Sequence, residues 1–131
     1  MACGFARRRV RNCGVIGDLI VFDVYEFYDE PVLFAASNER GQIFLGLLAQ
    51  DDAEVKRWLY APLSSIRLLG LKSDWIDLYS AFKKVEGGQV FESKVYKKGE
   101  PPIGAWINAS DLKDADLPDS GVFLDLGDKR E

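Results

Sequence analysis

The sequence predicts an α+β domain: an antiparallel sheet of about five strands, the first four as a meander, with a short helical segment packed on one face. Three observations carry this. Residues 19 to 63 hold four successive runs, LIVFDVYEFYD, PVLFAAS, QIFLGLLAQ and KRWLYAPLS, rich in β-branched and aromatic residues and separated by short turn signals. Residues 64 to 84 then change period, and Leu78, Ala81 and Phe82 take the i, i+3, i+4 spacing of a core-facing helix. After Gly87-Gly88 the run QVFESKVY returns to strand chemistry.

The length of 131 residues and a hydrophobic fraction of 47% fit one domain with a real core. Within it the sequence divides into a basic N-terminal segment (1–17), a sheet-plus-helix core (18–96) and an extended C-terminal wrap (97–131).

In chain order, Asn12, Gly14 and Gly17 punctuate the start, and the first strand carries apolar residues on both parities, as expected of a strand covered on both faces. Asp29-Glu30-Pro31 forces a turn, because proline fixes its own φ and drives the preceding residue away from helix. Asn38-Glu39-Arg40-Gly41 forms the next turn, with an Asx-type start and a glycine at its end. Gly46 inside the third strand points to a bulge or a close approach. In the fourth, Trp58 and Tyr60 face one way and Arg57 and Leu59 the other, and Pro62 is expected to end the ladder.

Ser64 and Asp77 are N-cap residues for two short helical pieces, and Lys83 and Lys84 suit the negative end of the second. Gly70 weakens the first piece, and Trp75 and Ile76 are expected to pack where the two meet. Beyond Lys97, turn signals alternate with the apolar pieces IGAWI and GVFLDL. That composition reads as a wrap over the sheet face opposite the helices, with room for one short strand.

Charge narrows the functional classes. Seventeen basic against 21 acidic residues leave a net of -4, which argues against coating nucleic acid. Arg7, Arg8, Arg9 and Arg11 are the one place where such binding would reside. Cys3 and Cys13 lack metal-site spacing, and no secretory core follows the arginines, so reduced thiols and a cytoplasmic location are expected. No run approaches the ~18 apolar residues that span a bilayer, so no membrane role is expected.

Catalytic chemistry finds little support. The chain has no histidine, the commonest base beside a nucleophile. Asp23, Glu26, Asp29 and Glu30 are the nearest approach to a constellation, but strand parity separates Glu26 from Asp23 and Asp29. Gly87-Gly88 and Gly14-x-x-Gly17 are too short for a nucleotide loop. No catalytic residue, metal site or cofactor is predicted.

The run Tyr25-Glu26-Phe27-Tyr28-Asp29, followed by Pro31, Leu33-Phe34, Asn38, Gly41-Gln42, Leu45, Leu47 and Trp58-Leu59-Tyr60-Ala61-Pro62, resembles an uncharacterised bacterial family of small proteins carrying a domain of unknown function. The likeness continues through Ser64, Arg67-Leu68, Leu71, Ile76, Leu78 and Ala81-Phe82. It covers residues 18 to 96 and extends to the tail from Leu117-Pro118 to Leu126, leaving the basic start outside. The resemblance implies no activity. Against its pattern, Trp75 and Tyr79 stand where polar residues are expected.

The expected function is a non-catalytic cytoplasmic protein-interaction module able to self-associate as a homodimer, with Tyr28, Trp75, Tyr79 and Trp106 as interface residues. Aromatic side chains supply large contact area at low entropic cost. The alternatives are a metal- or nucleotide-dependent enzyme using the carboxylates near Asp29, and nucleic-acid association through the N-terminal arginines.

Overall fold

The computed structural model describes residues 9–10, 15–27 and 31–124, with the backbone alone for Arg9, Val10 and Phe27. The strands are β1 (Arg9–Val10), β2 (Leu19–Phe27), β3 (Pro31–Ser37), β4 (Ile43–Asp51), β5 (Val55–Leu63), β6 (Gln89–Tyr96) and β7 (Ile103–Asn108). Helices α1 (Ser65–Lys72) and α2 (Leu78–Lys83) lie between β5 and β6. All seven strands form one sheet in chain order, each antiparallel to the next. The α+β class and the meander order of the first four predicted strands are as the sequence indicated. β7 is the one short strand for which the C-terminal segment left room, and β1, described for two residues, adds a pairing with β2 that the sequence did not indicate.

The helical excursion is short enough that β5 and β6 remain neighbours, so α1 and α2 rise from one face and return the chain beside its departure point. Ser64 caps α1 by accepting from the Arg67 amide at 3.2 Å, and Asp77 caps α2 by accepting from Ser80 at 2.9 Å. Gly70 serves packing. A Cβ there would meet Ile76 Cδ1 at 2.8 Å, so the glycine lets the chain after α1 fold back against the helix.

Strand alternation builds two cores. On the helical face Leu33, Leu45, Leu59, Ala61 and Val90 meet Leu71, Leu78, Ala81 and Phe82 from the helical region. On the other face Phe34, Phe44, Trp58, Tyr60 and Phe91 cluster with Ile16, Leu19 and Val21. Three register shifts between β2 and β3 break the simple parity of β2. Such bulges bend a strand and sharpen its twist. Leu19, Val21 and Val24 therefore serve the aromatic face while Tyr25 packs on the helical one. Gly46 is the close approach anticipated: the Phe34 ring lies over it, 2.6 Å from where a Cβ would stand.

Two expectations need correction. The C-terminal wrap lies on the helical face, where Ala109, Leu112, Leu117 and Leu124 join the core under α2. The short helices leave part of that face open, and apolar residues after β7 close it. Pro62 does not end the ladder either, since β5 continues to Leu63 with Pro62 opposite Phe44. Pairing with β6 stops at Tyr60, so the missing proline N–H falls where no β6 partner waits.

Candidate functional site

A polar concavity lies at the end of β5 and β6, under the wrap. Arg57 faces the helical side beside Leu59, and Glu92 does so beside Val90, bringing their side chains together diagonally across the β5–β6 pair. Arg57 Nε donates to Glu92 Oε2 at 2.5 Å, and its Nη1 donates to Asp116 Oδ2 at 2.8 Å. Burial works against the guanidinium charge, but hydrogen bonds and charges from Glu92 and Asp116 outweigh it and raise the Arg57 pKa above its ordinary value. Lys94, Lys113 and Asp111 complete the charged lining of a groove of about 440 Å³. Three cations thus face three carboxylates, which leaves no net charge to draw an ionic ligand.

The arrangement acts as a latch. Asp116 belongs to the wrap, and the same segment is tied down elsewhere by Tyr79 Oη to Asp114 at 2.8 Å, Lys83 Nζ to the Leu112 carbonyl at 2.5 Å and the Gly121 amide to Asp77 Oδ2 at 2.7 Å. The Leu78 amide also donates to the Val122 carbonyl at 2.8 Å. At the opposite edge of the helical layer, Lys72 and Asp23 stand 3.5 Å apart. The Tyr25 hydroxyl is buried, and burial, then the charge and the hydrogen-bonding carboxylate of nearby Asp23, push its pKa well above the usual phenol range. Among the described residues no group of three His, Cys, Asp or Glu is arranged to hold a metal ion.

Apolar surface is the more distinctive feature. Ile66 and Leu69, three residues apart on the outer side of α1, are 77% and 54% exposed, and Trp75 beyond the helix is 74% exposed. Leu71 and Leu78 beneath them are buried, so the helical layer is apolar on both sides. On the other sheet face Trp106 is 40% exposed and leans edge-on against Phe91 at 5.4 Å. It borders a shallow groove of about 360 Å³ shared with Phe44, Pro62, Ser65 and Glu86.

The model of a family of unknown function, DUF6575, matches residues 10–129. The chain belongs to the DUF6575 family. The match runs beyond the segment 18 to 96 in both directions, so the residues of the latch, of α1 and of β7 all lie within it. No curated protein and no solved structure matches the chain.

Of the four aromatic residues singled out from the sequence, the structure exposes Trp75 and Trp106 but sets them on opposite sides of the sheet. Trp75 does not fill the junction of the helices, because Ile76 takes the space against Gly70. Tyr79 is half-buried and its hydroxyl is engaged by Asp114, which raises its pKa. Tyr28, Asp29, Glu30, Cys3, Cys13, Arg7, Arg8 and Arg11 lie outside the described residues, and Arg9 is described only as the backbone partner of Ile20. Asp23 and Glu26 pair in register with Ala35 and Leu33, and Asp23 faces Lys72.

Sequence reasoning missed the outer α1 surface, although a signal existed. Apolar residues at 66, 68, 69 and 71 are too many for one stripe of an eight-residue helix. The latch had a fainter signal, since its cross-strand half follows from the parities of Arg57 and Glu92 once β5 and β6 are neighbours.

Proposed function

We propose that this domain acts by contact rather than by chemistry, as a cytoplasmic protein-interaction module of bacterial origin that includes self-association in its repertoire. The observation that carries the reading is the cluster of Ile66, Leu69 and Trp75, more than half exposed on the outer side of the helical layer. Leaving a tryptophan and two branched aliphatics in water forgoes about 1.5–3 kcal/mol each, and burial against a partner recovers it. The charged groove supports the same reading, because Arg57 at its centre is spent on Glu92 and on Asp116 of the wrap.

A capture experiment tests this with the full chain as bait against lysate from the source cell. The Ile66→Ser, Trp75→Ser double variant should keep the fold, as read by far-ultraviolet circular dichroism. It should lose at least one protein that the wild type retains. Identical captured sets from the two baits would contradict the assignment of this surface.

A further inference from the structure

At one end of the described sheet lies β1, of which Arg9 and Val10 are described. At the other, β7 runs for six residues, Ile-Gly-Ala-Trp-Ile-Asn, without a charge or an internal proline. Among the described residues no strand lies beyond it. Ile103, Gly104, Ala105 and Trp106 are all exposed. An antiparallel ladder to β6 uses the backbone groups on one side of β7 and leaves alternate N–H and C=O groups on the other side pointing outward. Such a row is a ready template for another extended strand.

We infer that β7 is a self-pairing edge, through which two copies of the chain join antiparallel, β7 to β7, into one continuous sheet about a two-fold axis at Ala105. The occupant follows from the strand's complementarity to itself. A two-fold axis normal to the sheet keeps like faces together, so only residues of the same parity can stand opposite each other. Centred on Ala105, this puts Ile103 of each copy opposite Ile107 of the other on the helical face. On the other face Trp106 of each copy stands opposite Gly104 of the other. The first is a pair of β-branched residues of the kind that stabilises sheets. In the second, a large ring covers a residue with no side chain, the device by which aromatics protect glycines in strands. No like charges meet, since the strand carries none. Pro101 and Pro102 end the paired stretch on one side, which holds the register near the centre.

The inference rests on the self-association part of the contact reading and not on the Trp75 surface, which lies elsewhere on the molecule. Sedimentation velocity of the full chain over a concentration series should show a reversible monomer–dimer equilibrium. Ala105→Lys places two ammonium groups across the axis and should raise the dissociation constant about tenfold or more. It should leave the circular dichroism spectrum and the captured partners of the Trp75 surface unchanged.

Cross-linking reads the register independently. In a Cys3→Ser, Cys13→Ser background, Ala105→Cys should form an intermolecular disulfide on mild oxidation, because directly opposed Cβ atoms lie about 4.5–5.5 Å apart. Ile103→Cys should not, because the two copies of residue 103 are offset along the strands by ~13 Å. A wild-type chain that stays monomeric at every concentration would overturn the inference. So would a dimer indifferent to Ala105→Lys, or one that cross-links at 103 and not at 105. Identical captured sets from the wild type and the Ile66→Ser, Trp75→Ser variant, with the dimer intact, would count against the proposed function alone.

Discussion

Arg57 on β5 and Asp116 in the C-terminal wrap form an ion pair of 2.8 Å across a separation of 59 residues, while the same guanidinium holds Glu92 on β6. The Arg57 side chain is 14% exposed, so the network is only thinly screened by water. Arg57→Ala should therefore lower stability by about 2–4 kcal/mol, since it strands two carboxylates in a partly buried site. Asp116→Ala should lower it less, about 1–2 kcal/mol, because Glu92 still compensates the guanidinium. Urea unfolding of both single variants and the double variant measures the coupling, and independent, additive effects would show that the latch is not a unit.

Gly46 and Phe34 give a second prediction. A Cβ at Gly46 would sit 2.6 Å from the Phe34 ring, so Gly46→Ala should destabilise by about 1–3 kcal/mol through overpacking. Phe34→Leu should be less damaging in the Gly46→Ala background than in the wild type, because the smaller side chain vacates the space. Thermal unfolding of the four proteins in the cycle checks the sign of that interaction.

These relationships differ in how far the sequence announces them. The β2 to β5 meander was legible because each run pairs strand-favouring side chains with a strong turn, and Asn38 bears this out by accepting from the Arg40 and Gln42 amides at 3.0 Å. The caps Ser64 and Asp77 were legible for the same local reason. The face taken by the wrap was not, because Leu112, Leu117 and Leu124 follow no period and their placement depends on distant partners such as Asp77, Lys83 and Arg57. Bulges hid the facing of β2, since a shift of one residue exchanges the two sides of a strand. Trp75 and Trp106 could be picked out as aromatics beside breaks, but their separation onto opposite sides of the sheet required the topology.

Asp77 predicts an acid-sensitive component of stability. Hydrogen bonds from Ser80 and the Gly121 amide hold its carboxyl below the ordinary carboxylate pKa. A depressed folded-state pKa contributes stability that is present above the unfolded value of about 3.9 and is lost as pH falls through the folded one. Asp77→Asn should keep most of the cap and flatten this dependence, whereas Asp77→Ala should lower stability by about 1 kcal/mol near neutral pH. Chemical unfolding between neutral and acidic pH separates the two, and an unchanged acid slope in Asp77→Asn would remove Asp77 from the account.

Trp75 predicts the opposite balance. With its side chain mostly in water, Trp75→Ser should change stability by no more than about 0.5 kcal/mol in either direction. A larger loss in thermal unfolding would mean that Trp75 supports the fold and would weaken its assignment to a contact surface.

Native mass spectrometry of the full chain, purified gently from the source cell at low salt, tests the contact reading most directly. The account predicts species heavier by whole polypeptides, a second copy or a protein partner. A chain carrying only a small organic molecule or a metal ion, with no polypeptide beside it, would contradict it.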